Sequence, residues 1–225
     1  MKICDIPEFG NLRGLKVISS SSVIAGPFIC AMFAEQGADV IQIESPKIGD
    51  MLRKLGDEFW SAERRNQRMM TLDIPSAEGR EVLFRMVKDA HILVESSKGG
   101  TWKKWGITDE VLWEKNPALV IVHVSGFGQS GDPAYVSRPA FDPVAQSFSG
   151  IASINGMPEP NPPYFLKPFT GDYVTGLMGA WAALAAYIRA KETGIGESID
   201  LSQYESLLRL QGNYLSNGVN KGIQP

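Results

Sequence analysis

Cysteine and histidine are scarce in this chain: two of each, Cys4, Cys30, His91 and His123, in 225 residues. Two widely spaced cysteines make no disulfide framework, and none of the four has metal-ligand spacing. Each histidine lies inside an apolar run, so packing in the core or at a strand end is favoured over metal binding, and no metal is expected. Positive charge is not in excess either, with 22 Lys and Arg against 25 Asp and Glu and a net charge of −3. Nucleic-acid binding needs a dense basic face, and the cluster Glu63 to Arg68 is too short to supply one. Long hydrophobic runs are missing. Leu15 to Ala34 is apolar on average, but four serines and Gly26-Pro27 interrupt it, against a membrane span. The first ten residues lack the apolar region of a signal peptide, and a cytoplasmic protein is expected. The glycine signatures of nucleotide sites are absent too. "SSSSVIAGPF" (Ser19 to Phe28) has Gly26 alone where G-x-G-x-x-G would stand, and neither a P-loop nor G-x-S-x-G occurs. A dehydrogenase, an NTPase and an α/β-hydrolase are each disfavoured.

What is present is alternation. "LKVIS", "DVIQIE", "RMMTLDI", "HILVES", "ALVIVHV" and "ESIDLS" read as six strands, rich in β-branched residues. Helical patterns follow the first, third and fourth of these. Pro27 suits a first turn, Ser76 and Thr108 suit N-caps, and Val82, Leu83, Met86 and Val87 share one helix face. The class is therefore α/β: a mostly parallel sheet with helices on both faces, the fourth and fifth strands expected at its centre. Beyond Val124 the pattern changes to a glycine-rich loop, "SGFGQSGD". A short helix follows in which Asp142 is expected to cap and Pro143 to open the first turn. A proline-rich loop leads to a long apolar helix, and "YESLLRLQGNYL" reads as one last helix.

Ligands of open α/β sheets bind outside the carboxyl ends of strands. Loops there include "SPKIGDMLR", "SSKGGTWKKWG" and "SGFGQSGD", where Lys98, Lys103 and Lys104 could meet phosphates or form a solvated turn. Asp172, in "TGDYVTG", precedes the long apolar helix. On its surroundings alone the helix-cap reading is favoured. A carboxylate beside backbone donors could also act as a covalent nucleophile.

These stretches resemble the class III CoA-transferases. The likeness rests on "LRGLKV", "IAGPF", "GADVIQIESPKIGD", "RRNQR", "ILVESSKGG", "WGITDEVLWEKNPALVIVHVSGFGQSG", "RPAFDPVAQSFSG", "TGDYVTGL" and "ETGIGESIDLS", in family order from Leu12 to Leu210, and is greatest to the carnitine branch. The resemblance implies a Rossmann-like large domain and a ping-pong reaction in which Asp172 forms a mixed anhydride and then an aspartyl-CoA thioester. Coenzyme A enters as acyl-CoA substrate, no cofactor is tightly bound, and small carboxylic acids are the other partners. It places Lys98 and Lys104 at CoA, Trp105 where the branch has a second arginine, and Leu72, Asp73 and Ile74 around the adenine.

Two departures from relatives are informative. Ile24 stands where formyl-CoA transferases have glutamine. Phe141 stands where the racemases of this fold have a catalytic histidine, and phenylalanine cannot move a proton. The implied substrates are carnitine, crotonobetaine and γ-butyrobetaine, with Trp60, Trp102, Trp105 and Tyr164 as candidate faces for a trimethylammonium group. The alternatives are another acid, such as a 2-hydroxy acid, or a non-catalytic CoA-binding fragment. Family members are nearly twice as long and interlink as homodimers. Residues 1–225 are thus expected to be the large CoA-binding domain, ending before a smaller C-terminal domain.

Overall fold

Val- and Ile-rich runs bounded by turns form strands, and the amphipathic runs between them form helices. In the computed structural model, which describes residues 7–156 and 160–222, these are β1 (Lys16–Ser20), α1 (Ala25–Glu35), β2 (Asp39–Glu44), α2 (Asp57–Glu63), β3 (Gln67–Thr71), α3 (Ala77–Val87), β4 (Ile92–Glu95), α4 (Thr101–Lys104), α5 (Asp109–Lys115), β5 (Val120–Ser125), α6 (Pro133–Val136), α7 (Asp142–Phe148), α8 (Thr170–Thr193), β6 (Ser198–Ser202), α9 (Gln203–Leu210) and α10 (Asn213–Lys221). Cys4 and part of the proline-rich loop, 157–159, lie outside the described residues. Ser76 and Thr108 cap α3 and α5 as expected, accepting from Gly79 and Val111 N–H. The final helical run is two helices rather than one, because Gly212 breaks it at φ 51°. No described helix is long and apolar enough to cross a membrane.

The six strands are all parallel, in the order β3-β2-β1-β4-β5-β6. The expected centre is corrected by one place. β1 and β4 are the middle pair, whereas β5 is interior but next to the edge strand β6. Buried hydrophobicity identifies interior strands without ranking them, since β1, β4 and β5 are flanked on both sides alike. Alternate residues face opposite layers. Val17, Ile92, Val94, Val120 and Val122 pack under α1 and α8, while Ile18, Leu93 and Ile121 pack under α3 and α5. Helix α8 lies close on α1 because its contact face is small. A Cβ at Gly176 would stand 2.8 Å from the Phe28 ring, and one at Gly179 2.5 Å from Ile29 Cδ1.

Both histidines serve the sheet. His91 Nδ1 accepts the Lys16 N–H at 2.9 Å. His123 is buried between Glu95 (2.8 Å) and Asp109 (2.9 Å). Burial lowers its pKa, but the hydrogen bonds to Asp109 and Glu95 outweigh that and raise it to about 10. The imidazolium therefore ties the end of β4 to α5, while Glu95 Oε2 accepts the Ser97 N–H at 2.7 Å and shapes the loop beyond.

The order of strands reverses between β1 and β4, which opens a crevice at their carboxyl ends. The loop after β1 is pinned there. Val23 sits at φ 66°, an unfavourable region for a β-branched residue. Its N–H donates to Asp50 Oδ1 (3.0 Å) and its carbonyl accepts from Arg64 Nη2 (2.7 Å). Asp50 and Arg64 pair at 2.6 Å, each side chain 1% exposed. Deleting one partner leaves the other charge buried, at a cost of ~3–5 kcal/mol. Arg64→Met should lower the urea midpoint accordingly, and adding Asp50→Asn should recover part of the loss. An Arg64→Met variant as stable as the parent would show that the pair does not hold this loop.

Candidate active site

The first turn of α8 carries Asp172, but Asp172 does not cap it. It is the third residue of the helix, and the cap position belongs to Phe169, which offers no side-chain hydrogen bond. The capping carboxylate comes from another helix. Asp142 Oδ1 accepts the N–H groups of Gly171 (2.6 Å) and Asp172 (3.2 Å). Asp142 Oδ2 accepts from Gln146 Nε2 at 2.6 Å, and Gln146 is in turn held by both backbone groups of Leu166. Glycine is required at 171, where a Cβ would lie 2.9 Å from Asp142 Oδ1 and 3.0 Å from Leu207 Cδ1. Two expectations are thereby corrected: Asp172 is not the cap of α8, and Asp142 does not cap α7. Asp142 is the first residue of α7, after Phe141 at the uncapped N-cap position. A carboxylate before a helix shows that amides are nearby, not which amides it will meet.

Freed from capping, Asp172 is 6% exposed, and its carboxylate takes one side-chain hydrogen bond among the described residues, from Gln203 Nε2 to Oδ1. Among the described residues its Oδ2 has no hydrogen-bond partner. Burial, and then the nearby Asp142 charge, raise its pKa to about 7, against the pull of the Gln203 bond. A carboxylate that holds its proton this strongly is a stronger base, and a stronger nucleophile once ionised. The next residue, Tyr173, donates to Glu63 Oε1 at 2.8 Å and meets the edge of Phe28. It is locked in structure rather than aimed into the site.

Asp172 opens on a cavity of about 230 Å³ whose lining includes Ser22, Lys98, Ser125, Arg138, Phe141 and Gln203. A larger cavity, about 320 Å³, is lined by Leu72, Asp73, Ile74 and Trp105, with Ile48 and with Lys47, which pairs with Asp73 at 3.3 Å. Both include Ser22 and Ser96, whose 2.9 Å hydrogen bond joins the β1 and β4 loops. The two cavities thus meet at the reversal point of the sheet. A third, almost wholly apolar cleft of about 220 Å³ reaches Asp172 between Val23, Ile24, Met51, Leu55, Phe141 and Phe169.

Of the residues singled out in the sequence, Asp172 and Lys98 share one cavity, and Leu72, Asp73, Ile74 and Trp105 share the other. Lys104 lines neither and stands exposed at the end of α4. Lys103 beside it is also exposed. Of the four candidate aromatic faces, none lines the Asp172 cavity. Trp60 already faces Arg53 at 3.7 Å and Arg64 at 5.1 Å, Trp102 is buried, Trp105 lines the larger cavity, and Tyr164 lies on an exposed loop. Arg138 and Gln203 escaped the sequence reading, and Asp142 is expected there as a cap of its own helix rather than of α8. Only Gln203 had a usable signal, since it follows the carboxyl end of a strand. Among the described residues no cluster of three His, Cys, Asp or Glu could hold a metal ion.

Residues 12–225 match CoA-transferase family III. The chain is 48% identical over 206 residues to a bile acid CoA-transferase of Clostridium scindens, covering 92% of this chain and 46% of that protein. It is 43% identical over 217 residues to an L-carnitine CoA-transferase of Proteus mirabilis, covering 96% of this chain and 53% of that one. It spans about half the length of these relatives. Its structure resembles that of a CAIB/BAIF family protein from Brucella suis at a TM-score of 0.89 and 31% identity, over 96% of this chain and 59% of that one. A parallel sheet of this order, with a match that runs from the first strand through the last helix, leaves one assignment: the chain belongs to CoA-transferase family III.

Proposed function

We propose that this is the large, CoA-binding domain of a class III CoA-transferase, which moves CoA between carboxylic acids through an aspartyl-CoA thioester on Asp172. The observation that carries the proposal is the placement of Asp172. It is a buried carboxylate whose Oδ2 has no hydrogen-bond partner among the described residues, opening on a cavity that joins a second one lined by Trp105 and Leu72 to Ile74. In the first step Oδ2 attacks the thioester carbonyl, the C–S bond breaks, and CoA leaves as thiolate with the electron pair. In the second the thiolate attacks Asp172 Cγ and expels the original acid as carboxylate. An acceptor carboxylate then enters and the two steps run in reverse. Covalent catalysis divides one slow exchange into two displacements.

Adenine is assigned to the larger cavity, stacked on Trp105 and framed by Leu72, Asp73 and Ile74. The thiol end runs past Ser22 and Ser96 toward Asp172. Lys98 in the inner cavity and Lys104, exposed at the end of α4, are the proposed sources of positive charge for CoA. Neither a tightly bound cofactor nor a metal takes part. The proposed whole protein is an interlinked cytoplasmic homodimer; Leu177, Trp181 and Ile188, all exposed on α8, support burial of this face against a further protein surface.

For the acid, carnitine and its relatives are one reading, with Phe141 and Phe169 as the aromatic faces beside Asp172. A second reading, an acid with a bulky apolar body, is favoured by the apolar cleft itself and by Lys98 and Arg138, which would repel a trimethylammonium group. Running a panel of acids on the complete protein separates the two. Faster turnover with apolar acids than with carnitine would reject the carnitine reading and leave the reaction class standing.

Substituting Asp172→Asn tests the nucleophile. A carboxamide is a poor nucleophile, so activity should fall by about a millionfold and the CoA adduct on the "TGDYV" peptide should vanish by mass spectrometry. Stability should move the other way. The folded pKa is about 7 against an ordinary 3.8, so the parent loses stability as pH rises through that window. The variant should therefore match the parent near pH 4 and exceed it at pH 8 by ~2–4 kcal/mol. Near-parental activity in a folded, undeamidated Asp172→Asn protein would end the proposal. At the CoA site, Lys98→Ala should weaken CoA binding about fivefold at low salt and less at high salt, by calorimetry. Unchanged affinity would remove Lys98 from the site.

A further inference from the structure

Among the described residues, Gln203 is the side chain that hydrogen-bonds the Asp172 carboxylate. It is the first residue of α9, delivered from the end of β6 straight after the cap residue Ser202. It is 5% exposed and lines the Asp172 cavity. A carboxylate only accepts hydrogen bonds, so the amide must turn its NH₂ toward Asp172 Oδ1. Asp142 cannot play this part, because its carboxylate is an acceptor, taking hydrogen bonds from Gln146, Gly171 and Asp172 N–H groups. The other charged groups facing the site are Lys98 from the β4–α4 loop, Arg138 ahead of α7, and Glu63 of α2 through Tyr173.

Resting on the assignment of Asp172 as nucleophile, we propose that Gln203 is a catalytic residue, the oxyanion donor at the aspartyl carbonyl. Its bond to Oδ1 leaves Oδ2 as the attacking oxygen. In the anhydride Oδ2 is bound to the acyl carbon and Oδ1 is the carbonyl oxygen of Asp172. When the thiolate adds to Cγ, the carbonyl electron pair moves onto Oδ1. The Gln203 N–H is already aimed at the charge that develops there. Collapse restores the carbonyl and releases Oδ2 with the acyl group as carboxylate. A donor placed in advance at developing charge acts without reorganisation at the moment of reaction.

Gln203→Met and Gln203→Leu, made in the complete protein, keep volume and remove the donor. Each should lower kcat by ~10²–10³ with little change in KM for acyl-CoA. The acid limb of the kcat profile should also move to higher pH, because the bond that favours ionised Asp172 is gone. A fall in kcat with an unmoved limb would mean a merely structural role, and unchanged kcat would reject the proposal outright. Should both variants fail to fold, NMR of the parent decides. The Gln203 side-chain amide should shift with the midpoint of Asp172 ionisation, and a flat response overturns the assignment. A parent that forms no Asp172–CoA adduct defeats the nucleophile reading and this one together. An adduct with variants indistinguishable from the parent defeats this one alone.

Discussion

The carboxylate of Asp142, accepting two amides from the first turn of α8, is the contact on which the site depends. It satisfies donors that a helix start leaves open, at the end of the helix dipole where negative charge is favoured. Its more important effect is on the neighbour. With the amides taken, Asp172 needs no role in capping, and its carboxylate is free to face the cavity. The cost falls on Asp172, whose carboxylate is pushed toward protonation by burial and by the Asp142 charge beside it. Local rules of stability are violated in this way where function requires it.

The rest of the architecture keeps that arrangement in register. The sheet reverses its strand order between β1 and β4, and the loops after these strands form the floor shared by both cavities. Neither loop is held by regular structure. The β1 loop, with Val23 in an unfavourable conformation, is fixed by the buried Asp50–Arg64 pair. The β4 loop is fixed by Glu95, itself braced by the His123 imidazolium. Charged groups inaccessible to water thus shape backbone on the inner side of the crevice, and the apolar layers carry the remainder.

Much of the fold was legible along the chain. Six strands, the helices α1, α3 and α5, the parallel sheet and the caps Ser76 and Thr108 all follow from periods of two and 3.6 residues and from side chains that bond within three residues, whereas α2 escaped the sequence reading. The nucleophile candidate could be named because the short motif around it resembles a family's, and the loops after strands singled out Lys98, which lines the Asp172 cavity. These signals are local and survive being read in order.

Tertiary structure alone decided what each carboxylate does. Asp142 meets amides 29 and 30 residues away, and Gln203 meets Asp172 across 31 residues. No periodicity encodes such pairings. They arise only when α7, α8 and α9 pack together, with glycine at 171 leaving room for the carboxylate. The same holds for the middle of the sheet, because hydrophobic strands buried on both faces look alike wherever they stand. By itself the sequence determined which segments form strands and helices, and that a carboxylate heads α8. Packing determined that this carboxylate is buried, uncapped and touched by one amide, because desolvation and hydrogen-bond partnership depend on neighbours in space rather than on the chain.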